Sequence, residues 1–354
     1  MNTNTNTNTN INTNIDIDID NNTNIDIDID NNNSNNNDQM KISGTIGMVY
    51  LFNIKTEKNI YIYYDDHSNK NYCTSNDSMF LYDLFENIRI KDSEHIVLLE
   101  EPFINNYSNI KFLWNDVPHV IKFRNFYKKI IKKCSDSKIC YIYPIDIRLI
   151  ICDVSMDELI SNLDDPKYFD EFNITTIQYF KYILYLFNYI DFDYEIFKNC
   201  DKNIIFIKKV FNTHLDSEYY KKLKGQFDLF YEKFIKPNQT MRIHDFVKKY
   251  KYGLYSFFSG YPFENSNYDD FLDQYDKLVN GIMEFYTFIL ATSLNTKNIS
   301  IYSGYYHSNN LTYILKKYYD YNIVYQSGST ENIENMDSKK LKNCLYINKN
   351  IFKN

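Results

Sequence analysis

The chain lacks the signatures of the common nucleotide-using enzymes: it has no Walker A sequence and no Gly-x-Gly-x-x-Gly dinucleotide fingerprint. No Gly-x-Ser-x-Gly elbow is present, so Ser303 and Cys73, the nucleophiles one would consider, have no motif behind them. Its six cysteines include no Cys-x-x-Cys pair, which argues against a zinc ribbon or thioredoxin-type motif and suggests no disulfide framework. Reduced thiols in a cytosolic setting are therefore expected. No basic n-region and apolar h-region open the chain, and no apolar run approaches the roughly 20 residues of a membrane helix. The most apolar window, residues 281–293, is interrupted by Glu284. A soluble intracellular protein is expected, with no membrane partner.

A basic excess is also lacking. Residues 1–39 carry Asp16, Asp18, Asp20, Asp26, Asp28, Asp30 and Asp38 with no Lys or Arg, and these acids equal the whole formal net charge of −7. The remaining chain is formally neutral, so no nucleic-acid partner is expected. Gly, Ala, Pro and Arg are scarce while Tyr, Phe, Ile, Asn and Lys abound, a skew that follows A/T-rich codons. The aromatic surplus is accordingly not read as base-stacking or sugar-binding machinery.

What is present divides in two. Residues 1–39 run through Asn-Thr repeats, Ile-Asp alternation and an Asn run, and read as a disordered tail. Residues 40–354 read as a single α/β domain. Strands are expected at 47–54 (an edge or lead-in), 60–64, 95–99, 139–143, 298–302, 321–326 and 343–347. Helices are expected at 77–88 with Asp77 as N-cap, at 117–133 and at 308–319. Segments 174–190, 203–236 and 268–293 carry apolar residues every three or four positions, with breaks near Pro237, Gly253, Gly260 and Pro262. This order predicts a mainly parallel sheet flanked by helices, with a large helical insertion over about 153–293 between the third and fourth core strands.

Four apolar, strand-like segments run straight into charged residues. Ile60-Tyr61-Ile62-Tyr63-Tyr64 leads into Asp65-Asp66-His67, and Ile96-Val97-Leu98-Leu99 into Glu100-Glu101. Tyr141-Ile142-Tyr143-Pro144 leads to Asp146-Ile147-Arg148, and Ile299-Ser300-Ile301-Tyr302 to Gly304-Tyr305-Tyr306-His307. Parallel sheets gather ligands and catalysts beyond the carboxyl ends of their strands.

Each junction has a functional and a plainer reading. Asp65-Asp66-His67 could bind a divalent metal or position a general base, or be a polar loop whose His bonds to backbone. Adjacent strand residues point to opposite faces, so only one of Glu100 and Glu101 is expected to enter a shared site, as general base or metal ligand. Asp146 and Arg148, two apart on an extended segment, would share a face. They could form a charge-assisted contact that leaves Arg148 to grip an anion, or a structural salt bridge. Gly304-x-x-His307 sits where a helix's first turn offers unpaired N–H groups. His95, His119, His214 and His244 read as structural or surface residues.

Strand–Asp-Asp-His, strand–Glu-Glu-Pro, Asp-Ile-Arg and Gly-Tyr-Tyr-His together resemble an uncharacterised group of giant-virus (mimivirus-type) proteins. Asn343-Cys344-Leu345-Tyr346-Ile347 is similar to that group's usual ending. More distantly, the His…Glu…Gly-x-x-His arrangement is similar to the TraB/Tiki and erythromycin-esterase/ChaN-like superfamily. That resemblance implies an α/β fold with a helical insertion and a hydrolytic site, metal-dependent in some members. His67 and His307 would be the paired histidines, Glu100 or Glu101 the acid, and Arg148 an auxiliary. Tyr63-Tyr64 stands where the family has Leu-Gly.

The expected function is a hydrolase-like site of His67, Glu100 or Glu101, Asp146, Arg148 and His307, acting on a small molecule or peptide. A divalent metal held by Asp66, His67 and His307 is the cofactor that would suit it. The alternative is a non-enzymatic binding or virion-associated protein on a degenerate hydrolase-like scaffold. Host cytoplasm or virion is the expected location.

Overall fold

The computed structural model describes residues 39–352 apart from 75–76, 92–93, 103–116, 137–140, 193–201, 253–267 and 331–340. The predicted tail up to residue 38, Cys140, Cys200, and the breaks near Gly253, Gly260 and Pro262 lie outside the described residues.

Among the described residues nine strands are formed: β1 (Gln39–Ser43), β2 (Gly47–Asn53), β3 (Lys58–Asp65), β4 (Ser78–Phe80), β5 (Ile96–Pro102), β6 (Ile142–Asp146), β7 (Asn298–Gly304), β8 (Asn322–Gly328) and β9 (Cys344–Asn348). Six build one sheet in the order β6-β5-β7-β3-β2-β8, and β4-β1-β9 build a smaller one. Neighbours among β6, β5, β7 and β3 pair in parallel, whereas β2 runs antiparallel to both β3 and β8. The fold is α/β with a mixed, mostly parallel sheet.

The two faces of the sheet are legible in the side-chain alternation. On β3 every residue is buried. Its Ile60, Ile62 and Tyr64 join one apolar cluster and its Tyr61 and Tyr63 the other, because successive side chains on a strand point to opposite faces. Helices α1 (Leu81–Lys91) and α2 (Pro118–Asp136), which follow β4 and β5, cover the second face through Leu84, Phe85, Phe123 and Tyr127.

Helices then fill the described chain between β6 and β7: α3 (Arg148–Ile151), α4 (Met156–Ser161), α5 (Pro166–Glu171), α6 (Thr176–Tyr179), α7 (Lys181–Leu186), α8 (Lys202–Asn212), α9 (Glu218–Phe230), α10 (Ile243–Tyr252) and α11 (Tyr268–Ser293). Helix α12 (Tyr305–Tyr319) follows β7, and its Leu311, Ile314 and Leu315 pack with Ile282, Phe285 and Ile289 of α11 in the first cluster. Adjacent strands β5 and β7 thus feed helices on opposite faces, the arrangement beyond whose carboxyl ends open α/β sheets place their ligand crevices.

Several expectations are corrected. Strand 47–54 is not an edge: β2 lies between β3 and β8. Met79 and Phe80 belong to β4, which pairs with β1, so the helix begins at Leu81 and Asp77 does not cap it. β1 starts at Gln39, a residue assigned above to the tail. The apolar periodicity of segment 203–236 is shared between helices, the second starting afresh where the Ser217 side chain accepts from Tyr220 N–H.

Cys73 and Cys344 form a disulfide, which overturns the expectation of reduced thiols for this pair. They are 271 residues apart in sequence, so spacing carried no sign of the bond; the small sheet brings them together. Among the described residues no helix is long and apolar enough to cross a membrane.

Candidate active site

The four strand ends singled out in the sequence are those of β3, β7, β5 and β6, which are consecutive in the sheet. Asp65 ends β3 on the α1/α2 face, fully buried. Its Oδ2 accepts from His67 Nδ1 at 2.5 Å and its Oδ1 from His119 Nε2 at 2.9 Å. Burial opposes a charged carboxylate, yet the two imidazoles more than offset it and hold Asp65 well below the usual carboxylate range. Burial likewise opposes a charged His67, but Asp65, and then Glu100, push that imidazole up to about 9. Asp66 takes no part: its Oδ1 accepts from the N–H and hydroxyl of Ser68 in a local turn, so it does not complete a ligand set with His67.

Glu100 and Glu101 face opposite sides of β5. Glu100 Oε2 accepts the Gly304 N–H at 2.6 Å, while its Oε1 accepts from Arg148 Nη2 at 3.1 Å and lies 3.7 Å from His307 Nε2. Glu101 turns to α2, where Arg124 Nε donates to it at 3.4 Å. Burial pushes the Glu101 carboxyl up to about 7 despite Arg124.

Asp146 and Arg148 do meet, though not along an extended segment. β6 stops at Asp146, Ile147 turns the chain (φ −91°, ψ 1°), and Arg148 opens α3. Arg148 Nε donates to Asp146 Oδ1 at 2.8 Å and Nη2 to Oδ2 at 3.0 Å, a bidentate pair. Its Nη1 donates to Asn280 at 3.3 Å and lies 3.5 Å from His307 Nε2. Burial works against both charges, and each partner outweighs it: Asp146 is lowered and Arg148 is raised.

His307 stands in the first turn of α12. Its Nδ1 donates to Glu284 Oε1 at 3.0 Å, an oxygen that also accepts from Asn310 at 2.9 Å. Burial opposes the imidazolium, but Glu100 and Glu284 raise His307 above its ordinary value. Gly304 matters by what it omits: a Cβ there would sit 3.4 Å from both His67 Nε2 and Glu100 Oε2. Two imidazoles are therefore each anchored at Nδ1 by a buried carboxylate, with Glu100 as their shared neighbour.

The geometry brings together His67, Glu100, Asp146, Arg148 and His307, and leaves out Asp66 and Glu101. It adds Glu284 and His119, which the sequence reading did not place in the site. Glu284 had a signal, a lone acid inside the most apolar window; His119 had none in its neighbours. Among the described residues no group of three His, Cys, Asp or Glu side chains could hold a metal ion. The Arg148 guanidinium lies against both Glu100 and His307 Nε2, where a metal shared by those two donors would have to sit, so the residues as arranged do not fit one. Two clefts lie elsewhere: about 150 Å³ beside Phe169, Arg242 and His244, and about 480 Å³ beside Tyr50, Glu57 and Lys297.

In comparisons with known proteins, no family model, no curated protein and no solved structure matches this chain.

Proposed function

We propose that the crevice at the carboxyl ends of β3, β5, β6 and β7 is a hydrolase-like site, with the helical insertion over about 153–293 as its cover. The observation that carries this reading is Glu100, 3.7 Å from His307 Nε2 and a neighbour of His67, two imidazoles that buried carboxylates lock at Nδ1. The similarity of its His…Glu…Gly-x-x-His arrangement to the TraB/Tiki and erythromycin-esterase/ChaN-like pattern supports the same reading. Near neutral pH Asp65 keeps His67 protonated, so His67 gives a proton to the leaving group. Glu100 takes the proton of the attacking water. Arg148 and His307 hold Glu100 in place.

The substrate favoured is an uncharged carbonyl compound, an ester, lactone or peptide bond, rather than a phosphate. Both anion-binding devices, the Arg148 fork and the leading N–H of α12, are occupied by the protein's own Asp146 and Glu100. The test is hydrolysis of a panel of neutral esters, lactones and peptides by the parent, His67→Gln, Glu100→Gln and His307→Gln proteins. Loss of a proton donor or acceptor should lower turnover by about 10²-fold or more. Variants with intact circular dichroism and undiminished turnover would sink the reading.

A second reading is favoured by the Cys73–Cys344 bond, since disulfides persist on virion surfaces and outside the reducing cytosol. On it the chain is a virion-associated binding protein. Removal of residues 1–39 should then abolish association with particles, while the three site variants leave it unchanged.

A further inference from the structure

Asp65 is the pivot of a longer chain of hydrogen bonds. His119, in the first turn of α2 and fully buried, reaches Asp65 Oδ1 through Nε2. Its Nδ1 faces the Tyr72 hydroxyl at 2.8 Å and Asn343 Nδ2 at 3.4 Å. The direction of each bond can be assigned. An ionised Asp65 only accepts, so Nε2 of His119 carries the proton. Asn343 Nδ2 only donates, so Nδ1 accepts. The Tyr72 oxygen already accepts the His119 backbone N–H at 3.3 Å, which leaves its own proton for Nδ1.

We infer that His119 is a positioning residue for His67: it fixes Asp65 Oδ1 so that Oδ2 stays aimed at His67 Nδ1. This rests on the hydrolytic reading, in which His67 acts. A carboxylate held by one imidazole alone could turn about its side-chain torsions; held by two, from β3's own loop and from α2, it has one orientation. Tyr72 and Asn343 in turn hold the His119 tautomer, and both lie at a bridge where the loop after His67 meets the segment leading into β9. The order is thus Tyr72 and Asn343 to His119, His119 to Asp65, and Asp65 to His67.

The experiment is proton NMR of the full chain, following the low-field resonance of the His67 Nδ1 proton, which reports its short bond to Asp65. His119→Leu removes the donor; His119→Gln offers an amide N–H in its place; Tyr72→Phe removes the hydroxyl that holds the tautomer. Loss of the resonance in His119→Leu with recovery in His119→Gln is the expected result. Survival in His119→Leu, or loss in both with the fold intact, overturns the inference. If His119→Leu does not fold, Tyr72→Phe decides: its resonance should exchange faster with water, and an unchanged rate overturns the inference. The signal needs no substrate, so it judges His119 alone. A parent protein without hydrolytic turnover would remove the function and leave this result standing.

Discussion

Glu100 Oε2 accepts the backbone N–H of Gly304 at 2.6 Å, a bond between residues 204 positions apart. It closes the leading end of α12 with a carboxylate the protein itself supplies. Glu100→Ala should leave that N–H and one Arg148 donor unsatisfied and lower stability by about 1–3 kcal/mol. The vacated place should admit a small anion. Urea midpoints measure the first effect. For the second, added formate should raise the melting temperature of the variant and not of the parent; equal response of both would refute it.

Glu284 makes a related prediction inside the helical layer. It is buried midway along α11, with His307 and Asn310 both donating to one oxygen. Glu284→Leu strands both donors and should destabilise by about 1–3 kcal/mol, whereas Glu284→Gln, whose amide oxygen still accepts, should lose less. Equal midpoints for the two variants would show that these bonds contribute nothing.

The pH dependence follows from His67. Its folded value of about 9 lies above the unfolded imidazole value of about 6.5, so the folded state binds the proton more tightly. The stability this gives is fully present below about pH 6.5 and lost as pH rises through about 9. Urea midpoints of the parent should therefore fall across that window more steeply than those of His67→Asn. Parallel curves would refute the assignment.

Glu101 carries the opposite sign for a carboxylate. Its folded value of about 7 lies above the unfolded value of about 4.3, so the folded state loses stability as pH rises between them. Glu101→Gln should flatten the parent's decline between pH 4 and 7. A variant that declines as steeply would place the cause elsewhere.

Reduction of Cys73–Cys344 should lower stability by about 2–5 kcal/mol. Denaturation with and without dithiothreitol, beside Cys344→Ser in both conditions, measures it. The variant should match the reduced parent and ignore the reductant.

The strand ends of the large sheet were legible because each charged cluster follows an apolar run directly. That β3, β7, β5 and β6 are neighbours was not legible, since β7 enters the sheet between two strands made much earlier. Choosing Asp66 over Asp65 was a matter of register: one residue along a strand exchanges the crevice for a surface turn. Choosing between Glu100 and Glu101 needed the same information. β1 and β4 are short, and β4 is continuous in sequence with the helix after it, so periodicity could not separate them. His119 and Cys344 act on residues far away in sequence, and nothing local marks either one.

The bond between Cys73 and Cys344 also sets a clock. Synthesis runs at about 5–20 residues per second, so the 271 positions between the two sulfurs separate their appearance by roughly ten seconds to a minute. Through that interval a nascent chain carries Asp65, His67 and His119 without Asn343 or its covalent fastening. The His67 side of the crevice emerges early, Glu284 and His307 follow late, and the tie that holds the His67 loop arrives last. A half-made molecule is in this sense unarmed.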